Sequence, residues 1–526
     1  MYRALSRSQI NKISIILILI AICISLLLFK GTVDPFIPMH ISIIEETVYN
    51  GGLVENQNFQ VPGFYILGAQ IILICGLAPA QLMFYPIQLI PYALILFLIL
   101  FKISGNPIFS ALLTAIDLCS GTTGTGKIFF WPHGIGEILF FSILLLVFLL
   151  LKQDRRPKPF IFLVAVIISL SLVYISYDAT ANILILLAVI VAVLILFYKV
   201  LSKDNATIRG FDLSSRTFSS LFLILFVAAF GLSNFVYFVF IPTLQNTYVL
   251  SGLDKFLISY FNPNLSENPL SQIIISYPTA ISVISGIKYA LLDISSLIFG
   301  IIILKTFFKE RSLPRTCLFI FAILIMTLIY ASMRLLIGGE LPIFLYLPGI
   351  LCIALFSRMS KKYRALAVAT LLVMLVCTPL YYGVMENGGY IDRDDYQFNS
   401  YKAPVQWFIE YNNGDLAVSD ELTKDLFTLY SLEHSIGDRK PSPLLNNITE
   451  QHKILPTEDA TALVQLSEGP LDSKYYILNQ RLNRMSLNNW IIIESWEHSE
   501  EQINTNNQIN KIYDVPFLSI YYPPLN

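Results

Sequence analysis

From residue 13 to residue 382 the chain repeats one pattern, long apolar runs separated by short polar loops, and then the pattern stops. A helix needs about 20 apolar residues to cross the hydrocarbon layer of a bilayer. Read on that length, the runs predict spans at 13–29, 82–101, 107–120, 135–151, 160–177, 183–200, 218–240, 289–304, 316–333, 342–357 and 365–382. The expected fold class is therefore a polytopic α-helical membrane protein of about eleven transmembrane helices. One further run, 62–77, is apolar but short. Counting it as a crossing would invert every later loop, so it is expected to lie in the interface as a helix that does not cross. Residues 30–81 then form a long first loop.

Loop charge orients these spans. The N-terminus (Arg3, Arg7, Lys12) is basic, and so are Lys152–Lys158, Lys199–Arg216, Lys305–Arg315 and Arg358–Arg364. Basic loops stay in the cytoplasm. Placing all five inside puts the N-terminus in the cytoplasm and leaves 30–81, 121–134, 178–182, 241–288, 334–341 and everything after 382 outside. The first run has no small-residue cleavage site after it and is expected to be a retained helix. The chain is thus expected in the cell membrane, multi-pass.

Composition agrees: 55% of the 526 residues are hydrophobic and only 13% charged. A formal net charge of -1 argues against a nucleic-acid partner. The six cysteines all lie in apolar runs without metal-site spacing.

Two domains are expected: 1–382 in the membrane, and 383–526 as an external soluble α/β domain. In the polar tail, 416–420 reads as a strand running into a helix, 474–478 and 490–494 read as strands, and 511–521 as a closing hairpin.

The candidate chemistry sits in the external loops. An ionisable group near lipid is costly to keep and marks a functional site by default. Asp34 leaves the first span in this way, although Asp34-Pro35 also suits a turn. Glu45 and Glu46 could bind a cation or a sugar, or form a solvated helix face. His40 is expected in a structural or interfacial role. Lys127, His133 and Glu137 cluster in and after the second loop, where a continuing helix would put His133 and Glu137 on one face. Gly121-Thr-Thr-Gly-Thr-Gly-Lys127 is not a P-loop, because Ile128 follows the lysine; it could still offer backbone N–H groups to a phosphate. Asp178 is either a helix cap or part of a pocket, and the cap is the preferred reading. Arg334, on the side that basic residues avoid, suits a phosphodiester, and Lys288 is a second such group.

In its order of parts the chain resembles the GT-C glycosyltransferases: protein O-mannosyltransferases, lipid A aminoarabinose transferases and oligosaccharyltransferase catalytic subunits of prokaryotes, archaea among them. Asp34 stands where that family keeps a first-loop carboxylate. Val61-Pro-Gly-Phe-Tyr-Ile-Leu-Gly68 is similar to the start of its interfacial segment. Phe130-Trp-Pro-His-Gly-Ile-Gly-Glu137 falls where further site residues lie, and Met333-Arg334 where many members place a phosphate-binding Arg. The chain lacks the oligosaccharyltransferases' Asp-x-Asp in its second loop and the mannosyltransferases' Asp-Glu in its first. No metal ligands are assigned; a divalent metal is left open, without an Asp-x-Asp motif to support it.

The resemblance implies a glycosyltransferase of the cell envelope. It would move a sugar from a polyprenyl-phosphate donor to a glycan, lipid or protein acceptor at the external face, amid membrane lipids. Asp34 would be catalytic. Arg334, Lys127 and His133 would hold the donor phosphate, with Glu45, Glu46, Glu137, Asp178 and Lys288 lining the site. The alternative is a protein that handles lipid-linked glycans without transferring them: a flippase, a polymerase-like protein or a scaffold. A transport path calls for charged groups in mid-span, and here Asp117 and Asp293 are the exceptions to spans nearly free of charge.

Overall fold

The computed structural model describes residues 7–28, 37–53, 62–77, 79–84, 87–120, 130, 132–152, 159–196, 279–310, 314–337, 346–387, 402–411 and five strands between 416 and 522. The first half holds α1 (Arg7–Leu28), α2 (Ile37–Asn50), α3 (Pro62–Cys75), a 3₁₀ turn (Pro79–Phe84), α4 (Leu89–Ser104), α5 (Pro107–Ser120), α6 (Pro132–Lys152), α7 (Pro159–Ile175) and α8 (Tyr177–Leu196). The second half holds α9 (Thr279–Glu310), α10 (Arg315–Ile337), α11 (Leu347–Phe356), α12 (Lys361–Asn387) and α13 (Lys402–Tyr411). The expected span 218–240 and the expected strand 490–494 lie outside the described residues.

Among the described residues, five helices are long and apolar enough to cross a membrane: Gln9–Leu27, Gly134–Leu151, Gly286–Thr306, Arg315–Ser332 and Lys361–Leu380. Shorter apolar helices pack among them. The protein is helical and has the composition of a membrane protein. Large apolar side chains cover its outside, as on α1, where Ile15, Ile16, Leu19, Ile20 and Leu27 are all exposed. In water such a surface would be strongly unfavourable, whereas in lipid it is matched.

Without a hydrophobic drive between helices in lipid, small residues and backbone approach decide the contacts. α1 and α5 meet through Ala21 and Ser25, one turn apart. Ser25 Oγ donates to Leu118 O at 2.9 Å, and Cys119 Sγ approaches Ala21 O at 3.8 Å. The C-terminal ends of both helices therefore lie together. On α11, a Cβ added at Gly349 would stand 2.7 Å from the Leu292 carbonyl oxygen of α9. Tyr289 stacks on Tyr346 at 4.1 Å, one turn before each of these positions, so α9 and α11 run parallel.

The short run 62–77 is a helix, as expected. Its 14 residues span about 21 Å at 1.5 Å per residue, short of the roughly 30 Å hydrocarbon layer. It buries Phe64, Tyr65, Gly68, Ala69 and Ile72 and leaves Ile66, Leu73 and Ile74 outside.

Several boundaries move. The expected span 82–101 is a 3₁₀ turn followed by α4, which begins at Leu89. α9 starts at Thr279, ten residues before the expected span. α12 continues through Gly383 to Asn387.

In the tail, the strands are β1 (Leu416–Ser419), β2 (Ile454–Pro456), β3 (Ser473–Asn479), β4 (Asn510–Val515) and β5 (Leu518–Tyr522). They form one sheet in the order β2-β1-β3-β5-β4. β2, β1 and β3 are parallel, and the β4–β5 hairpin adds antiparallel to β3. β1, β3 and the β4–β5 hairpin follow the expected pattern; β2 and α13 were not foreseen.

Candidate functional site

One end of the bundle gathers the first-loop helices. α2 packs on α3 through an aromatic junction. His40 Nδ1 and the Tyr65 hydroxyl share a hydrogen bond at 3.2 Å, and Phe64 lies edge-on to the His40 ring. Burial pushes the Tyr65 hydroxyl above the ordinary phenol range, so it stays protonated and the junction keeps its hydrogen bond. These contacts fit the structural or interfacial role expected of His40.

Phe64 also packs on Phe130, just before α6, with ring centroids 5.0 Å apart. At Gly63 the α3 backbone comes so close to α7 that an added Cβ would lie 2.9 Å from Tyr174 Cβ. At Gly136 an added Cβ would collide with the Ser176 side chain, at the α7–α8 turn. The start of α3, the start of α6 and the α7–α8 turn therefore meet at the end where α2 lies.

Helix directions bring the remaining parts to the same end. Phe148, near the end of α6, packs on Phe319, near the start of α10, at 5.0 Å. The two helices are antiparallel neighbours, so α10 finishes where α6 begins. The backbone of Arg334, in the last turn of α10, lies at this loop end. α11 starts there, and α9, parallel to it, brings Lys288.

The sequence-selected residues are distributed as follows. Asp34 and Lys127 lie outside the described residues. His133 and Glu137 share α6, four residues apart, as expected, and Glu137 is buried. Asp178 lies inside the first turn of α8. It is Ser176 that takes the capping place, its Oγ accepting from the Ala179 N–H at 3.4 Å; the preferred reading of Asp178 as the cap is corrected accordingly. Glu45 is fully buried, and Glu46 is half-buried. The solvated-face reading therefore fails for Glu45, which shares the inward face of α2 with Ile41 and Ile44. Lys288 is buried, with Nζ 4.8 Å from the centroid of the Tyr289 ring, a cation–π contact.

Sequence reading noted Asp117 only as a charge within the spans and did not select its partner Tyr92 or Gln88. Asp117, in the last turn of α5, is fully buried and accepts a 2.7 Å hydrogen bond from the Tyr92 hydroxyl of α4. Tyr92 in turn packs edge-on against Phe141 of α6 at 5.3 Å. Gln88, just before α4, is also fully buried. The signal for Tyr92 and Asp117 was the pairing of a phenol and a carboxylate on adjacent short helices, which only the packing of α4 on α5 makes visible.

A buried hydrogen bond to a carboxylate is worth about 1.5–3 kcal/mol when lost. Tyr92→Phe is therefore expected to lower stability by about that amount, read as a lower melting temperature in detergent. An unchanged melting temperature would mean the Asp117 carboxylate is satisfied without Tyr92.

Charge placement divides the two ends of the bundle. Among the described residues, the buried charged side chains are Glu45, Asp117, Glu137 and Lys288. All four are at the loop end. No group of three metal-ligating side chains occurs among the described residues.

Among the solved structures that match, two align over most of the chain. The Archaeoglobus fulgidus oligosaccharyltransferase, tethered to an acceptor peptide containing the NVT sequon, covers 92% of this chain and 72% of its own, at 13% identity and TM-score 0.49. ArnT from Cupriavidus metallidurans, in the apo state, covers 97% of each chain at 11% identity and TM-score 0.43. No family model matches the chain, and no curated protein does.

Proposed function

We propose that the chain transfers a sugar from a polyprenyl-phosphate donor to an acceptor at the external face of the membrane. The observation that supports this reading best is the gathering of Glu45, Asp117, Glu137 and Lys288 at one end of an otherwise apolar bundle. Charged groups kept near lipid mark functional sites. A transport path would instead distribute them through the middle of the membrane.

The step is an inverting displacement. The acceptor's nucleophilic atom attacks the anomeric carbon while the bond from that carbon to the phosphate oxygen breaks. The phosphate leaves with the bonding electrons, and the acceptor's proton passes to the Asp34 carboxylate. Arg334 faces the leaving phosphate with a bidentate fork, a geometry lysine cannot reproduce. Lys127, His133 and Lys288 add positive charge or donors around it, while Glu45, Glu46, Glu137 and Asp178 line the sugar and acceptor side. The lipid tail lies in a groove between helices. In this reading residues 383–526 form the external domain beside the site.

The test is turnover of a sugar-bearing lipid. Membranes holding the chain are given dolichyl-phosphate mannose and dolichyl-phosphate glucose, and release of bare dolichyl phosphate is followed. Wild type is expected to release it. Arg334→Ala is expected to do so about 10–100-fold more slowly, the worth of a charge-assisted hydrogen bond. Full turnover in Arg334→Ala would remove Arg334 from the phosphate site. Binding of the donor without any turnover in wild type would favour the non-catalytic alternative.

A further inference from the structure

Gln88 is a buried polar group that the displacement above does not use. Gln88 is fully buried, and neither its Oε1 nor its Nε2 has a hydrogen-bond partner among the described residues. It does not cap α4 with its side chain. Native proteins leave very few buried polar atoms unsatisfied, and each such atom calls for a physical reason. An apolar side chain of the same size would fit this place at no such cost.

Its surroundings point to a ligand. The Gln88 carbonyl accepts from the Tyr92 N–H at 3.0 Å, so the two side chains lie one helical turn apart on one face of α4. Tyr92 is itself bound to Asp117. Gln88, Tyr92 and Asp117 are all fully buried and form a polar strip at one end of two mostly apolar helices. Gln88 is the member nearest the loop end. The 3₁₀ turn just before it packs on α2 and α3, so Gln88 sits where the first-loop helices join the bundle.

A carboxamide offers an acceptor and a donor side by side. That pair complements two neighbouring hydroxyls, one donating to Oε1 and the other accepting from Nε2. A phosphate could use only the donor, and a lipid tail neither. We propose that Gln88, backed by the Tyr92–Asp117 pair, is a specificity-determining residue that binds adjacent hydroxyls of the transferred sugar. This rests on the donor reading given above, and it adds the part of the donor that Gln88 recognises.

The test uses the full chain in detergent and native mass spectrometry, with dolichyl-phosphate mannose, dolichyl-phosphate glucose and bare dolichyl phosphate as probes. Wild type is expected to retain at least one sugar-bearing lipid more tightly than the bare one. Gln88→Met and Gln88→Leu are expected to melt no lower than wild type, because each removes an unsatisfied amide. They are expected to lose about tenfold in retention of the sugar-bearing lipid, the worth of one or two hydrogen bonds, with the bare lipid retained as before. A wild-type preference that survives in both variants overturns the assignment of Gln88 and leaves the donor reading standing. Equal retention of sugar-bearing and bare lipid by wild type also overturns it. A wild type that retains none of the three overturns the donor reading, and the Gln88 assignment with it.

Discussion

Asp34→Asn is expected to cut sugar transfer by about 10²–10⁴-fold, the range that general-base catalysis contributes. The melting temperature and the retention of polyprenyl phosphate are expected to stay at wild-type values. The carboxamide keeps the size and shape of the carboxylate but cannot take the acceptor's proton. A neutral hydroxyl or amide attacking without that help must carry positive charge in the transition state. α1 is tied to α5 by the Ser25–Leu118 hydrogen bond, nine residues before Asp34 in the chain, so a change at Asp34 is expected to leave that packing untouched. Transfer by purified protein, alongside a thermal melt and lipid retention, separates the base role from a folding role. Full transfer in Asp34→Asn would leave only the turn-forming reading of Asp34-Pro35.

Gly349→Val is expected to produce the largest loss of stability. An added Cβ would meet the Leu292 Cβ and carbonyl oxygen at 2.7 Å and its carbonyl carbon at 2.9 Å. Two of these atoms are backbone, so no side-chain rotation relieves the clash. Overpacking of this kind costs about 1–3 kcal/mol, and more when the backbone must move. Separating α11 from α9 would also part Tyr289 from Tyr346 and disturb the Lys288 contact. The expected result is a markedly lower melting temperature in detergent. Leu292→Ala is not expected to rescue it, because the Cβ and carbonyl stay in place. A wild-type melt for Gly349→Val would show that α9 and α11 can separate without cost.

The helical membrane class was legible from hydropathy alone, since apolar run length is set by bilayer thickness. The short helix α3 was legible as an apolar run of less than membrane-spanning length. Boundaries were less legible for identifiable reasons. Hydropathy does not distinguish a 3₁₀ turn from a helix, so Pro79–Phe84 merged with the start of α4. Ser282, Ser285 and Lys288 lowered the apparent hydropathy of α9 and hid its first turns, although the fold buries Lys288.

Within the site, the pattern contained more than charge patterning drew from it. Ile41, Ile44, Glu45 and Val48 recur at helical spacing, and that spacing places Glu45 inward. Reading Glu45 and Glu46 together as a charged pair masked this difference between them. The shared face of His133 and Glu137 followed from spacing, because nothing between them breaks a helix. Ser176 was a better capping residue than Asp178 by position, since a cap must precede the first helical turn. Gln88 and the Tyr92–Asp117 pair were not legible. An amide at the edge of an apolar run is ordinary in sequence, and only three-dimensional burial makes it costly.

The measurement that tests the central claim most directly is mass spectrometry of the lipids that co-purify with the wild-type chain. The donor reading predicts polyprenyl phosphate or its sugar conjugate, enriched well above its share of the membrane extract, with the conjugate revealing the sugar. Recovery of bulk phospholipid alone, in the proportions of the membrane, would contradict it.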